Sequence, residues 1–528
     1  MLKRARQPKP CWRSIKGLVI TLILSTLIPR FQLNAQTTEI VVHLDSLRQV
    51  IKGFGAANIL LWRPEMTANE IQKAFGTGPG EIGFSLLRLR IPPDVGGFAI
   101  NVANAQAAHA MGATIIASPW SPPASMKTIN NTTGGRLRED SYAAYAAHLK
   151  SFVDFMASNG VPLYAVSVQN EPDIQVNYES CDWNATEMVK FIGQHGNSVG
   201  TKLIAPESFQ FIPTIANAIL NDSAATANVD IIGGHIYGGG RAPYPLAAEK
   251  GKELWMTEYL INSPGSGPDM DTSLKGAIAT AASIHDVMNA GMNAYIWWYI
   301  VRYYGPIADG ERGDAKGSVT KKGYVMSQYA RFVRPGFVRV LVQVPRTPLP
   351  VYLTAYKSDT KVIMVVLNSG PSSIDQPIRI QNLPGTITAL TPYVTSKTKN
   401  CEPGAAITVT NGTFTATLAD SSITTFVADI VSDVETGSAI PQTFELSQNH
   451  PNPFNPETEI QYQTPEASQV TLTVYDVLGR EVATLVNEQL PAGMHRVTWN
   501  AGGFPSGMYL YRLTANGFVE TKKMILLQ

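Results

Sequence analysis

The sequence predicts an α/β protein: a parallel (β/α)8 barrel over residues 51–335, an associated β-sandwich side domain over 336–430, and an Ig-like β-sandwich over 444–528. Three observations predict it. From Ile51 to Arg334 short apolar runs alternate with longer segments of helical spacing, the signature of successive strand–helix units. After Pro335-Gly336 the chain turns to short β-rich runs broken by turn residues. At 528 residues it is also too long for one compact core, so two or three domains are expected.

The first 35 residues read as a secretory signal: Lys3, Arg4, Arg6, Lys9, Arg13 and Lys16 precede the apolar run Gly17 to Ile28, and Leu33-Asn34-Ala35 offers a cleavage site. That run is too short to span a bilayer comfortably, and no later stretch is long enough, so stable membrane insertion is not expected. Residues 36–50 follow, and Glu39 to Leu44 alternates like a strand. Because it precedes the barrel, it is expected to pair into the side domain.

The barrel strands are expected at Phe84–Leu89, Thr114–Ala117, Leu163–Val168, Lys202–Ala205, Val229–Ile232, Glu253–Met256 and Ala294–Trp298, with helices such as Tyr142 to Ser158 and Ser273 to Met288 between them. In such a barrel the reactive residues lie at the carboxyl ends of the strands. An open doubly wound sheet is disfavoured, since no glycine-rich phosphate loop follows the first strand and the polar residues cluster after many strands. The side domain takes Val351–Tyr356, Lys361–Leu367, Ile378–Ile380, Ala406–Val409, Phe414–Leu418 and Ile423–Ala428 as strands, and residues 431–443 are a polar linker. The last unit carries Val470–Tyr475, His495–Trp499, Gly507–Leu513 and Lys522–Leu527.

Lys+Arg 42 against Asp+Glu 41 leaves a net charge of +1, which excludes a basic field for collecting nucleic acid and points to a neutral polymer as partner. Of three cysteines Cys11 lies in the removable segment, so Cys181 and Cys401 allow one bridge or two buried thiols, and no disulfide framework. Nothing in the chain speaks to oligomeric state, and a monomer is the default.

The chemistry centres on Val168-Gln169-Asn170-Glu171-Pro172 and Leu254-Trp255-Met256-Thr257-Glu258, two glutamates each placed where an apolar run ends. One carboxyl held protonated and one held ionised is the equipment for cleaving a glycosidic bond, and neither a metal nor a cofactor is required. The pair is separated by 258 − 171 = 87 residues, several strand–helix units, so the two would face each other across the barrel mouth. The distance between them, which sequence does not give, decides between the retaining and inverting routes.

Around these motifs the chain from about Leu44 to Ile430 resembles glycoside hydrolase family 30. The resemblance is carried by Gly53-Phe54-Gly55, Leu87-Arg88-Leu89-Arg90-Ile91, Ala117 to Pro123, Gln169-Asn170-Glu171-Pro172, Gly234-His235-Ile236-Tyr237, Trp255-Met256-Thr257-Glu258, Gly323-Tyr324 and Phe332 to Gly336. It implies a retaining hydrolase with Glu171 as general acid/base and Glu258 as nucleophile. It also implies a barrel joined to a β-sandwich that includes an N-terminal strand. Asn170 would then bond the sugar 2-hydroxyl, Arg88 and Tyr237 would hold Glu258 ionised, and Trp120 and Trp298 would stack on pyranose faces. His235 is open between a structural and a substrate-contacting role, and Arg63 and Arg90 are read as structural ion-pair partners.

Within the family the chain is similar to the bacterial glucuronoxylanases through Asn177 to Trp183, Trp297-Trp298-Tyr299-Ile300 and Lys322-Gly323-Tyr324. Those enzymes cut β-1,4-xylan where a glucuronic acid branch directs. The likeness implies Arg302, Tyr304 and Ser263 as ligands of the branch carboxylate, for which a guanidinium fork is suited. Two departures bear on that implication: Leu260 stands where the subfamily usually has tyrosine, and Glu311 to Lys316 lengthen the loop after Arg302. A relaxed branch requirement, another β-glycan such as a β-1,6-glucan, and a non-catalytic polysaccharide-binding surface protein are the alternatives. The final segment, with Gln448 to Pro456 and Val474-Tyr475-Asp476-Val477-Leu478-Gly479, resembles the C-terminal sorting domain of the type IX secretion system. It implies export machinery as a partner and a secreted or cell-surface location.

Overall fold

The computed structural model describes residues 39–262, 272–345, 350–383, 385–431 and 441–527. The proposed signal, most of the linker and Ser263 lie outside these residues. Strand β1 (Ile40–Val50) comes first, followed by eight strands that close into a parallel barrel: β2 (Gly53–Ala57), β3 (Leu86–Ile91), β4 (Thr114–Pro119), β5 (Leu163–Ser167), β6 (Lys202–Ser208), β7 (Ile231–His235), β8 (Glu253–Glu258) and β9 (Ala294–Tyr299). Closure comes from β2 pairing with both β3 and β9. The sequence runs identify seven of these strands and miss β2, because Gly-Phe-Gly-Ala-Ala carries almost no apolar bulk.

Strand alternation divides the barrel's side chains. Leu86 belongs to the interior layer with Ile116, Ala165, Ile204, Ile231, Trp255, Ala294 and Ile296, while Leu87, Leu89 and Ile91 pack outward against helices. Two residues per repeat therefore put Arg88 and Arg90 on the face of Leu86, toward the barrel mouth. Helix Tyr142–Ser158 illustrates the outer ring: Tyr142, Tyr145, Leu149, Phe152 and Met156 recur at helical spacing and are buried, and Tyr145 also donates its hydroxyl to Val168 O at 2.6 Å.

Beyond the barrel come β10 (Val338–Gln343), β11 (Val351–Lys357), β12 (Lys361–Asn368), β13 (Ile374–Gln381), β14 (Ala389–Thr395), β15 (Asn400–Pro403), β16 (Ile407–Thr408), β17 (Thr413–Leu418) and β18 (Ser422–Asp429). They form one 10-stranded sheet with β1, which lies between β10 and β13, antiparallel to the first and parallel to the second. The sheet curls on itself so that Phe414 of β17 meets Phe426 of β18 at 5.5 Å over a common core. On β12, Val362, Met364 and Val366 face this core while Ile363, Val365 and Leu367 join the barrel's outer cluster. That double burial explains the unbroken apolar run. Gln328 and Thr425 bond across the junction, Thr425 Oγ1 to Gln328 O at 2.6 Å.

The last unit has two sheets: one of β19 (Glu445–Leu446), β20 (Glu457–Thr464) and β23 (Gly493–Asn500), the other of β21 (Ser468–Tyr475), β22 (Glu481–Leu490), β24 (Gly507–Ala515) and β25 (Phe518–Leu526). They enclose a core around Trp499, Tyr511 and Leu472. Cys181 and Cys401 are both buried free thiols. No helix among the described residues is long and apolar enough to cross a membrane.

Candidate active site

The barrel mouth gathers Glu171, just beyond β5, and Glu258, the last residue of β8. Alternation alone would turn Glu258 away from the mouth, since Trp255 points inward. The pairing of β7 and β8 slips by one residue there, with Gly234 opposite Met256 and His235 opposite Glu258. The extra residue, Thr257, turns its hydroxyl to Glu207, and Glu258 is re-aimed to the side of His235. A second irregularity, between Pro206 and Ser208 of β6, inserts Glu207 in the same way, with a left-handed φ of 64°. Glu171 is left-handed too, at φ 47°, and its amide donates to Glu207 O at 3.1 Å. Strain of this kind in non-glycine residues is stored where a side chain must be aimed against the local preference.

Arg88 organises the floor. It is fully buried, donating from Nη1 to Glu258 Oε2 at 2.6 Å and from Nη2 to Asn170 Oδ1 at 2.7 Å. Its contact with the Trp120 ring at 5.0 Å is a weaker cation–π interaction, worth about 0.5–2 kcal/mol, so the two charge-assisted bonds set its pose. The other Glu258 oxygen accepts from Tyr237 Oη at 2.9 Å. Asn170, fixed by its oxygen, keeps its amide nitrogen as the donor for a ligand. Burial pushes the Glu258 carboxyl above its ordinary value, and the Glu171 charge adds to that; His235 and Arg88 act in the opposite sense and favour the carboxylate. Burial and the two carboxylates together raise the Tyr237 phenol well above its usual value, which keeps it a donor.

His235 Nδ1 lies 2.8 Å from Glu171 Oε1, and its Nε2 is 3.7 Å from Glu207 and 3.9 Å from Glu258. Burial lowers its pKa, but Glu258 and then Glu171 outweigh burial, and the net shift is upward. His235 thus lies against the carboxyls of Glu171, Glu207 and Glu258. Tyr178 Oη approaches Glu171 Oε2 at 3.4 Å from a loop anchored by the two Arg90–Glu179 bonds of 2.6 and 2.7 Å. A carboxylate oxygen of Glu171, one of Glu258 and a ring nitrogen of His235 all lie within 4.8 Å of one another. Such a trio has the donor set for a metal ion. Here both Glu258 oxygens are already committed to Arg88 and Tyr237, and a buried guanidinium beside them disfavours a further cation.

Above the glutamates is a cleft of about 450 Å³ lined by Trp62, Trp120, Tyr178, Phe209, Tyr237, Leu260 and Trp298, with both carboxylates at its base. Apolar rings around a few polar groups are the surface a sugar ring needs. The site residues expected from sequence fall into two groups. Glu171, Glu258, Asn170, Arg88, Tyr237, Trp120 and Trp298 come together at this mouth, whereas Arg302 and Tyr304 lie beside it on the loop after β9 and do not line the cleft. Ser263 is outside the described residues. Sequence reasoning missed Glu207, Tyr178, Trp62 and Phe209. Glu207 reads as one more acidic residue, and only the meeting of β5, β6 and β8, with Ser167 Oγ donating at 2.5 Å, gives it a place.

A barrel with two facing glutamates at its carboxyl end defines a glycoside hydrolase of the parallel-barrel class, and the comparisons agree. Residues 96–252 match the glycosyl hydrolase family 30 TIM-barrel domain, and residues 449–527 match the secretion system C-terminal sorting domain. A glucuronoxylanase of Bacillus subtilis is 40% identical over 429 residues, covering 78% of this chain and 98% of its own. The family 30 subfamily 8 xylanase of Clostridium acetobutylicum superposes with a TM-score of 0.68 at 38% identity, over 74% of this chain and all of its own. A family 30 endoxylanase from Clostridium papyrosolvens C71 gives 0.66 at 38% over the same share of this chain, again with all of its own chain covered. The chain belongs to glycoside hydrolase family 30.

Proposed function

We propose that this protein is a secreted, retaining endo-β-1,4-xylanase that hydrolyses glucuronoxylan by double displacement, at positions set by the glucuronic acid branch. The xylan substrate is supported by the relatives at 38–40% identity, all xylanases by name. The β-1,6-glucanase with this fold is 19% identical and supports the fold alone. The observation that carries the retaining route is the approach of Glu171 and Glu258 oxygens to within 4.8 Å. Retaining pairs stand about 5–5.5 Å apart, and inverting pairs need about 6.5–9.5 Å to admit a water.

In this scheme Glu258, ionised and held by Arg88 and Tyr237, attacks the anomeric carbon. Protonated Glu171 delivers its proton to the departing glycosidic oxygen, and the C1–O bond breaks to leave a xylosyl ester on Glu258. Glu171, now a carboxylate, takes a proton from a water that attacks C1, and Glu258 is released. Asn170 bonds the 2-hydroxyl, an interaction that strengthens as charge develops on the ring. Trp120 and Trp298 supply apolar walls for neighbouring xylose units.

Arg302, with Tyr304 and Ser263, is proposed to bind the branch carboxylate. Leu260 lines the cleft without a donor and favours a second reading, the same machinery with a looser branch requirement. The C-terminal sorting domain gives the protein a secreted or cell-surface location and export machinery as its partner. Mass spectrometry of products from 4-O-methylglucuronoxylan and from arabinoxylan tests the reading. Release predominantly from the first, each product with one glucuronate at a fixed distance from the reducing end, is expected; equal release from both would overturn branch direction.

A further inference from the structure

Arg302 is not free in this chain. Its guanidinium lies over the Tyr303 ring at 4.6 Å, and its Nη1 donates both to Glu311 Oε1 at 2.8 Å and to Asp309 Oδ2 at 3.1 Å. The two carboxylates are not equivalent. Asp309 is built into the loop: its side chain is 12% exposed, it stands 3.8 Å from Arg63 Nη1, and its Oδ1 accepts the Glu311 amide at 3.0 Å. Glu311 is 55% exposed and reaches Arg302 from the tip of the loop. Asp309 is shared between Arg302, at 3.1 Å, and Arg63, at 3.8 Å, whereas Glu311 makes the shorter contact to Arg302, at 2.8 Å, and is the one a ligand can replace from solvent.

The loop that carries Glu311 stands on a fastened base. Ile307 bridges to Val319, Gly317 N donates to Ala308 O at 2.8 Å, and Lys73 Nζ binds Gly317 O at 2.8 Å. Gly310 and Gly313, with φ of 90° and 96°, supply the left-handed turns that fold the tip back over Arg302. A flexible, solvent-exposed acid is thus presented by a fixed scaffold to the guanidinium. Such a contact is readily exchanged, because the carboxylate regains water when it leaves.

We infer that Glu311 is a specificity-determining residue: it holds Arg302 as a built-in stand-in for the carboxylate of an acidic sugar branch, which must displace it to be recognised. The inference rests on the reading of Arg302 as the branch anchor. It makes glucuronate recognition weaker than the guanidinium alone would allow, by up to about fivefold, the range an exposed ion pair supports. The loop extension thereby tunes branch dependence without touching Glu171 or Glu258.

Steady-state kinetics of the full chain on 4-O-methylglucuronoxylan and on arabinoxylan test it with Glu311→Gln, Glu311→Ala, Arg302→Ala and the double variant Glu311→Gln/Arg302→Ala. Both Glu311 variants are expected to raise the glucuronoxylan-to-arabinoxylan ratio of kcat/KM by about two- to fivefold, chiefly through a lower KM on glucuronoxylan. The double variant is expected to match Arg302→Ala, with the gain lost. If Arg302→Ala lowers the ratio while the Glu311 variants leave it unchanged or lower it, the inference is overturned and the anchor reading stands. If Arg302→Ala leaves the ratio unchanged, the anchor reading itself falls and takes the inference with it.

Discussion

The role proposed for each glutamate rests on its neighbours. Glu258 accepts two hydrogen bonds from groups that stay protonated, Arg88 and Tyr237, which suits a carboxylate; Glu171 lines the same cleft, where the leaving oxygen of the proposed scheme would meet it. Glu171→Gln is therefore expected to lower kcat on xylan by about 10²–10⁴-fold. The loss should be far smaller on an aryl xyloside whose leaving group departs without a proton, whereas Glu258→Gln should abolish turnover of both. The pH profile offers a second check. In the proposed scheme Glu258 must be ionised to attack, and burial raises its pKa, so the acid limb of kcat/KM should lie above the ordinary carboxylate value. Arg88→Met removes a cation that favours the carboxylate, so the limb should move to still higher pH and kcat should fall. Most of these residues are legible in the chain because they sit in short strand-end motifs. Glu207 is not, because its partners Ser167 and Thr257 come from other strands and nothing local marks it.

At the scale of elements, the site depends on two one-residue slips in the β6–β7 and β7–β8 pairings, which place Glu207 and return Glu258 to the mouth. Apolar periodicity located the strands but has no way to register such a slip, because each bulge is a property of two strands at once. The same limit hid β2, where close backbone approach replaces apolar bulk. A Cβ on Gly55 would come within 2.1 Å of Leu86 O. Gly55→Ala is therefore expected to destabilise barrel closure by about 1–3 kcal/mol or more, seen as a lower Tm in thermal unfolding. A Tm equal to that of the parent would mean that β2 and β3 separate more easily than their packing implies.

Across the whole molecule, the N-terminal strand completes the side sheet, and that sheet shares the barrel's outer core. Deleting residues 39–50 leaves the facing edges of β10 and β13 unpaired and is expected to give an aggregating, less stable protein, measurable by light scattering. The C-terminal unit has its own core around Trp499 and Tyr511, and the glutamates draw nothing from it. A chain ending at Ile430 is expected to keep the kcat/KM of the full chain on xylan while losing the sorting function. A sharp loss of activity would show that the last unit takes part in substrate binding. The central claim is that two glutamates with oxygens within 4.8 Å work by double displacement. Proton NMR of freshly cleaved xylan, recorded before mutarotation, tests it most directly: the first-formed reducing ends should be β-anomers, and α-anomers appearing first would contradict the account.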